Sequence, residues 1–167
     1  MLTKNRILGL SAAVLVFLAD QFIKYFVTGP LALQSRGEQG IGLLPFFKLT
    51  YAENNGVSMG MLTASSDTQR WLLVGLTVVV AALVTVWMWR EKARWDAIAL
   101  GLILGGALGN ILDRIRLGYV VDYADFHIGT FRPFLIFNLA DVAITFGVLI
   151  LIARAFLLRD PKEAASE

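Results

Sequence analysis

The chain has 167 residues, of which 57% are hydrophobic and 17% are charged, and its formal net charge is +2. This apolar fraction exceeds the 45–50% or so of ordinary soluble domains and favours an integral membrane protein. The small net charge and the lack of a basic run argue against a nucleic-acid partner. Because the chain has no cysteine and one histidine, His127, it lacks disulfides, thiol nucleophiles and the ligand set of a zinc protease. We therefore expect no metal and no cofactor.

Four stretches are long and apolar enough to cross a bilayer, which takes about 20 residues. They cover about residues 7–27, 71–89, 95–112 and 133–158. The first begins like a secretory signal peptide, with Lys4 and Arg6 before an apolar run. No small-x-small cleavage site follows, so a retained helix is the better interpretation. The sequence predicts one membrane-embedded domain over residues 1–167, of the all-α integral membrane class, with four transmembrane helices.

The connection between the first and second spans is long for a membrane loop. Residues 46–51 alternate in part between apolar and polar side chains and are rich in β-favouring types. Glycine and proline residues before them mark turns. We therefore expect a small extramembrane β-element in the first outer loop.

Basic residues near the span ends predict the orientation in the membrane. Four spans place both termini and the second connection on one side, which carries Lys4, Arg6, Arg90, Lys92, Arg94, Arg154, Arg159 and Lys162. The other side carries Arg36, Lys48, Arg70, Arg114, Arg116 and Arg132. By the positive-inside rule, the N- and C-termini are predicted to be cytoplasmic.

Polar residues inside or beside the spans converge on the outer side in this topology. They are Asp20, Lys24, Asn54, Asn110, Asp113, Arg114, Asp122, Asp125, Asn138 and Asp141. Helical spacing places Asn110, Asp113 and Arg114 on one face, and Asn138 and Asp141 on another. Ionisable groups at such depth are costly and mark functional sites. Gly105, Gly106 and Gly109 are expected to let neighbouring helices approach closely.

Two neighbouring carboxyl groups that share one proton can hydrolyse a peptide bond without a metal or a covalent nucleophile. The ionised group takes a proton from water, and the protonated group polarises the carbonyl. Asp122, in a connection, and Asp141, at the start of the fourth span, are the natural candidates, and Asp125 is a competitor. On the residues alone this remains one option among several.

Two other classes of function stay open. One is a Ser/Lys protease that uses Ser58 with Lys24 or Lys48. The other is a proton or ion carrier, although the inner halves of the later spans carry few polar groups. Structural roles are also open for several residues: an interfacial ion pair for Asp113 and Arg114, a helix-end pair for Asp20 and Lys24, a turn for Asn54, and a helix-dipole partner for Asp141.

Several motifs in this order resemble those of the lipoprotein signal peptidases, also called signal peptidase II. They are GGALGNILDR at residues 105–114, GYVVDY at 118–123 and FNLAD at 137–141. Asp20, Gln21 and Lys24 in the first span and NNG at residues 54–56 also fit. This chain departs from the family pattern after Gly56. It reads VSMG at residues 57–60, where the family usually has small residues and Phe.

The resemblance implies that Asp122 and Asp141 are the catalytic pair. It implies substrate-binding or supporting roles for Asp20, Lys24, Asn54, Gly56, Asn110, Asp113, Arg114, Asn138 and Ala140. The family removes the signal peptide of diacylglyceryl-modified bacterial prolipoproteins just before the lipidated cysteine, at the outer face of the cytoplasmic membrane. We therefore expect a multi-pass inner-membrane enzyme, in contact with lipid and lipid-modified substrates, that acts as a monomer.

Overall fold

The structure, a computed structural model, describes residues 3–56 and 67–157. In these ranges the chain forms the helices α1 (Lys4–Thr28), α2 (Asp67–Arg90), α3 (Arg94–Leu117) and α4 (Leu139–Leu157). All four are long and apolar enough to cross a membrane by length and composition, which confirms the four predicted spans. The VSMG departure, Ser58, Arg159 and Lys162 lie outside the described residues.

Helix α3 is the centre of the helical part of the molecule. In an apolar 18-residue segment of α3, 56% is buried, whereas the corresponding segments of the other three helices are 17–22% buried. It packs against α1, α2 and α4. The large side chains that point away from α3, such as Leu15, Leu76 and Phe146, are exposed and form an apolar outer surface. This pattern is the one expected of helices whose outer faces contact lipid.

Glycines allow α3 to approach its neighbours at backbone distance. A Cβ atom added to Gly101 would lie 2.2 Å from the carbonyl oxygen of Gly9 in α1. A Cβ at Gly105 would lie 2.4 Å from the Ala13 carbonyl oxygen, and one at Gly106 would lie 2.5 Å from that of Ala140 in α4. The predicted close approach at Gly105 and Gly106 is therefore confirmed, and it fixes the ends of α1 and α4 on either side of α3.

A three-stranded antiparallel sheet, in the order β1-β2-β3, lies at one end of the helices. Its strands are β1 (Ile41–Leu44), β2 (Phe47–Asn54) and β3 (Val120–Phe126). A short 3-10 segment, Leu33–Gln39, precedes β1. The buried side chains of Leu33, Val27, Tyr123 and Ala124 form the cluster that joins the sheet to the end of α1.

The sheet corrects the predicted fold class. The strand expected near residues 46–51 is present as β2, but the third strand comes from the connection between α3 and α4 rather than from the first loop. Neither all-α nor a β-element confined to one loop therefore describes the chain. Asp122 consequently lies on a strand and is not in an irregular connection.

The start of α4 also differs from its prediction at residue 133. The helix begins at Leu139, and Phe137 instead forms an isolated antiparallel bridge with Ala124 of β3. Residues 133–137 are mostly apolar, so hydropathy alone extends the span through them. Hydrogen bonds between Asn138 and Asp141 cap α4 and set its first residue at Leu139.

We expect Gly101→Ala to destabilise the protein by about 1–3 kcal/mol, because the new methyl group must displace the backbone of α1. Gly75→Ala in α2 is the matched control, since a Cβ there meets nothing within 4 Å. That substitution should be neutral or stabilising by up to about 1 kcal/mol, as expected from helix propensity. Thermal unfolding of the two variants in detergent measures both effects. Equal unfolding temperatures would contradict the close α1–α3 packing.

Candidate active site

Asn138 and Asp141 form a reciprocal cap at the start of α4. The backbone N–H of Asp141 donates to Oδ1 of Asn138 over 3.0 Å, and the backbone N–H of Asn138 donates to Oδ2 of Asp141 over 3.2 Å. This is the capping-box pattern, in which the N-cap side chain and the carboxylate three residues later each satisfy a free N–H group. The cap begins the helix at Leu139 and fixes the carboxyl group of Asp141 at its first turn.

Asn138 also connects this cap to β3. Its Nδ2 donates to Oδ1 of Asp122 over 2.6 Å and to Oδ1 of Asn110 over 3.2 Å. Nδ2 of Asn110 in turn donates to Oδ1 of Asp141 over 2.9 Å. The two predicted catalytic carboxyl groups therefore accept hydrogen bonds from the same asparagine, one from its side chain and the other from its backbone.

Asn54, at the end of β2, provides a further contact to Asp122. Its Nδ2 donates to Oδ2 of Asp122 over 3.0 Å, while its Oδ1 accepts from the backbone N–H of Gly56 over 2.9 Å. Gly56 has a φ of +94°, which favours glycine. Asn54 thus has both of the roles that were open for it: it shapes a turn and it contacts the predicted site.

A buried ionic cluster lies between α1 and α3 beside this site. Nζ of Lys24 is 2.8 Å from carboxylate oxygens of both Asp20 and Asp113, and it donates to Oδ1 of Asn110 over 3.1 Å. Gln21 bridges the same two carboxylates through its Nε2. The side chains of Asp20, Lys24 and Asp113 are each at most 5% exposed. The helix-end pair expected from Asp20 and Lys24 is therefore part of a larger network with Asp113.

The two acids of this cluster hold the backbone beside the predicted catalytic pair. Oδ1 of Asp20 accepts from the N–H of Ala140, the residue before Asp141, over 3.1 Å. Oδ2 of Asp113 accepts from the N–H of Val121, the residue before Asp122, over 3.2 Å. Ala140 therefore contributes through its backbone and its small size. Each candidate aspartate is positioned by a neighbouring buried carboxylate.

Arg114 lies at the same end of α3 but does not pair with Asp113. Its guanidinium is next to Gly56, with Nη2 3.6 Å from the position of an added Cβ, and its Nε is buried without a hydrogen-bond partner among the described residues. Arg70 of α2 fixes this helix end, since its Nε donates to the backbone carbonyl of Arg114 over 2.8 Å. The ion pair considered between Asp113 and Arg114 is therefore not formed between these two described residues, since Asp113 pairs with Lys24 instead.

Asp125 has a separate set of partners. Nε and Nη2 of Arg132 donate to its two oxygens over 3.0 and 3.2 Å, and Oγ1 of Thr50 donates over 3.2 Å. Burial opposes ionisation, but these bonds and the charges of Arg132 and Lys48 hold the pKa of Asp125 below its ordinary value. No described contact joins Asp125 to Asp141 or Asn138. Within residues 3–56 and 67–157, no group of three or more His, Cys, Asp or Glu is arranged to hold a metal ion.

Comparisons with known proteins identify the family. A sequence model described as Signal peptidase (SPase) II matches residues 12–157. The chain belongs to the signal peptidase II family. It is 56% identical over 161 residues to a lipoprotein signal peptidase of Rhizorhabdus wittichii, which covers 96% of this chain and 92% of the relative. It is 59% identical over 150 residues to one of Sphingopyxis alaskensis, which covers 90% and 86%.

The fold also matches a solved bacterial membrane enzyme determined by the in meso method at 1.9 Å resolution. The TM-score is 0.73 with 30% identity, and the match covers 91% of this chain and 93% of the other. The protein is therefore a signal peptidase of the lipoprotein-processing class and a multi-pass inner-membrane protein.

Two residues beside the candidate site had no predicted role. Gln21 belongs to a recognised motif, but only its position in α1 against α3 reveals that it bridges Asp20 and Asp113. Tyr123 was not singled out beyond its motif. Its hydroxyl accepts from the N–H of Leu139 over 3.1 Å, at the first residue of α4. No sequence pattern indicates that a strand residue contacts a helix start 16 positions later, so the sequence alone does not reveal this hydrogen bond.

Burial and the nearby charge of Asp141 raise the pKa of Asp122 to about 6, although Asn54 and Asn138 donate hydrogen bonds that oppose the shift. The folded protein therefore binds this proton more tightly than the unfolded chain, whose value is near 3.8. The stability that follows is fully present below about pH 4 and is lost as the pH rises to about 6, by roughly 3 kcal/mol at most.

We expect the wild type to lose stability relative to Asp122→Asn as the pH rises from about 4 to about 7. Groups distant from Asp122 titrate alike in the two proteins and cancel in the comparison. Thermal unfolding in detergent at several pH values measures the difference. A difference that stays constant over this range would show that Asp122 titrates normally.

Proposed function

We propose that this signal peptidase is an aspartyl endopeptidase in which Asp122 and Asp141 activate one water molecule between them. Its substrates are diacylglyceryl-modified bacterial prolipoproteins, and it cleaves the peptide bond just before the lipidated cysteine. The observation that carries the proposal is the shared contact with Asn138, which keeps a strand carboxyl group and a helix carboxyl group at one point. Membership of the signal peptidase II family supports the same reaction class.

The mechanism requires the two acids to hold one proton as a pair. The ionised carboxylate removes a proton from water as the oxygen attacks the scissile carbonyl carbon. The protonated carboxyl group donates a hydrogen bond to the carbonyl oxygen, where negative charge develops. The proton gained from water then passes to the amine of the lipidated cysteine as the C–N bond breaks. The raised pKa of Asp122 supports a proton held by the pair near neutral pH.

The supporting residues have positioning or binding roles in this proposal. Asn54, Asn110 and Asn138 donate to the carboxyl groups, while Asp20, Lys24 and Asp113 fix the backbone next to them. Gly56 lies against the guanidinium of Arg114 next to Asn54, and we assign both residues a supporting role beside the pair. With Ala140, whose N–H donates to Asp20, these residues include every predicted supporting position.

The proposed orientation places the pair at the outer face of the cytoplasmic membrane. The sheet and the pair lie at the C-terminal ends of α1 and α3 and at the N-terminal ends of α2 and α4. The basic residues near the opposite ends, such as Lys4, Arg90 and Arg94, favour the cytoplasm for that side. The substrate's acyl chains would then remain in the outer leaflet while its cleavage site reaches the pair. We propose that the enzyme acts as a monomer.

The lysines required by a Ser/Lys protease are already engaged. Lys24 contacts Asp20, Asp113 and Asn110, so its ammonium group has three acceptors. Lys48 contacts Asp125 and the carbonyl oxygen of Glu38. A general base must accept a proton from the nucleophile, whereas both lysines donate to the acceptors around them. Replacing Ser58 with Ala should therefore leave cleavage intact.

Asp122→Asn and Asp141→Asn should each reduce cleavage of a lipid-modified prolipoprotein by about 10³-fold or more, because an amide can neither take nor hold the shared proton. Folding and insertion should persist, since the side chains are nearly isosteric. Turnover of purified protein in detergent or vesicles, normalised to folded protein, measures the effect.

Asp125→Asn is the matched control, because it removes a carboxylate from the same strand outside the pair. It should keep wild-type turnover per folded molecule, and Ser58→Ala should do the same. Wild-type turnover by either variant of the pair would show that the aspartyl mechanism is wrong. Loss of turnover in Ser58→Ala would favour the Ser/Lys mechanism.

A precursor without the diacylglyceryl group should be cleaved with a much lower kcat/KM than the modified one. The acyl chains contribute about 0.8 kcal/mol of anchoring free energy for each buried CH₂. Matched precursors with and without the lipid, assayed in the same vesicles, provide the comparison. Equal rates would show that the lipid is not required, while the assignment as a protease would still stand.

A further inference from the structure

A basic cavity lies at the turn that follows β3, on the opposite side of that strand from Asp122. Its volume is about 340 Å³, and it is lined by Lys48, His127, Gly129, Thr130 and Arg132. No acidic side chain is among these lining residues. None of the five has a part in the proposed cleavage reaction, so the cavity requires a separate explanation.

Two cations share one carboxylate beside this cavity. Lys48 and Arg132 both pair with Asp125, so these three side chains together carry one positive unit, and Lys48 also donates to the backbone carbonyl of Glu38. Asp125 already accepts two hydrogen bonds from Arg132 and one from Thr50, so its oxygens do not depend on Lys48, which is 3.6 Å away. The side chain of Arg132 is still 51% exposed. Both cations are therefore oriented by Asp125 and remain able to attract an external anion.

His127 provides a polar group without a partner. Its Nδ1 is buried and has no hydrogen-bond partner among the described residues, whereas its backbone N–H donates to the carbonyl of Phe46. Buried polar atoms are normally paired, and an exception requires an explanation. An atom this buried is not reachable from the cavity, so the site depends on Lys48 and Arg132 and not on this nitrogen.

A tight hairpin presents apolar side chains beside the cavity. Ile128 and Phe131 exchange backbone hydrogen bonds of 2.8 and 3.1 Å across a turn in which Gly129 has a φ of +61°. The side chains of Ile128 and Phe131 are 63% and 65% exposed, and that of Phe134 is 64% exposed. These residues precede α4 in the chain, and α4 also carries exposed apolar side chains. Apolar and aromatic side chains around a basic centre are typical of the membrane interface.

We propose that this cavity binds the phosphate of an anionic phospholipid, with Lys48 and Arg132 contacting the phosphate oxygens and the 128–134 hairpin segment inserted among the acyl chains. The charge excess fits the anionic headgroup, and the apolar rim fits a lipid rather than a free anion. The ligand class is a phosphodiester such as phosphatidylglycerol. Because the site is separate from Asp122 and Asp141, its occupancy does not depend on the aspartyl mechanism.

Native mass spectrometry of the full-length protein in detergent, titrated with phosphatidylglycerol or phosphatidylcholine, tests the site. The wild type should bind phosphatidylglycerol more tightly than the zwitterionic lipid. Lys48→Gln should weaken binding of phosphatidylglycerol by about fivefold, the effect of one basic residue at an anionic surface, and should leave phosphatidylcholine unchanged. Lys48→Gln should fold, because Arg132 and Thr50 still satisfy Asp125.

Arg36→Gln is the matched control, since Arg36 is an exposed cation of the same long connection whose Nε donates only to a backbone carbonyl, that of Leu31. It should bind both lipids like the wild type. Arg132→Gln should weaken phosphatidylglycerol further, with thermal unfolding as the check on folding; if it does not fold, Lys48→Gln decides. An unchanged lipid preference in Lys48→Gln would overturn the proposal. So would displacement of the lipid by an equal concentration of soluble glycerol 3-phosphate, which would indicate a site for free anions.

Discussion

The side chain of Asn138 imposes the constraint on which the rest of the site depends. Its Oδ1 accepts from the N–H of Asp141, so its Nδ2 must point away from α4, where it meets Asp122. Serine could cap the helix but has no second polar atom to bind a strand carboxylate. Aspartate could also cap it but would bring a negative charge against Asp122. Asparagine alone among common N-cap residues caps α4 and donates to the second acid.

The buried ions next to this contact serve geometry more than stability. Burying two carboxylates and one ammonium group has a desolvation cost that their attraction does not necessarily recover. In this cluster, each carboxylate accepts a hydrogen bond from a backbone N–H. Asp113 accepts from the residue before Asp122, and Asp20 accepts from the residue before Asp141. Asp20 of α1 thereby holds the backbone beside Asp141, and Asp113 of α3, paired with Lys24 of α1, holds the backbone beside Asp122. Gly109 is part of this arrangement, since a Cβ there would lie 2.5 Å from Oδ2 of Asp20.

The helices could be predicted from the sequence, and the motifs named the residues of the candidate site, but the strand that carries Asp122 could not be predicted. Hydropathy and length predict membrane helices well, because a bilayer requires both. Strand β3 reads VVDYADF, with acids three residues apart and buried neighbours on both faces, so it lacks the alternation of a half-buried strand. The start of α4 was missed for a related reason: residues 133–137 are as apolar as a helix, and only the Asn138 cap separates them. Lys48 meets Asp125 through strand register and Arg132 meets it through the turn after β3, and a single sequence reveals neither arrangement.

That register explains how one sheet keeps two acids in separate surroundings. Asp122 and Asp125 are three residues apart on β3, so they point to opposite faces. Their partners on β2 are Asn54 for Asp122 and Lys48 and Thr50 for Asp125, at even positions that would share one face in a regular strand. Between the pairs Leu49↔Ala124 and Ala52↔Asp122, β2 advances three residues while β3 advances two, so β2 contains one extra residue. This bulge reverses the facing of β2 and directs Asn54 towards Asp122 and Lys48 towards Asp125. Without the extra residue, Asn54 would lie on the same face of β2 as Lys48 and Thr50, and its amide could not reach Asp122 on the other face of the sheet.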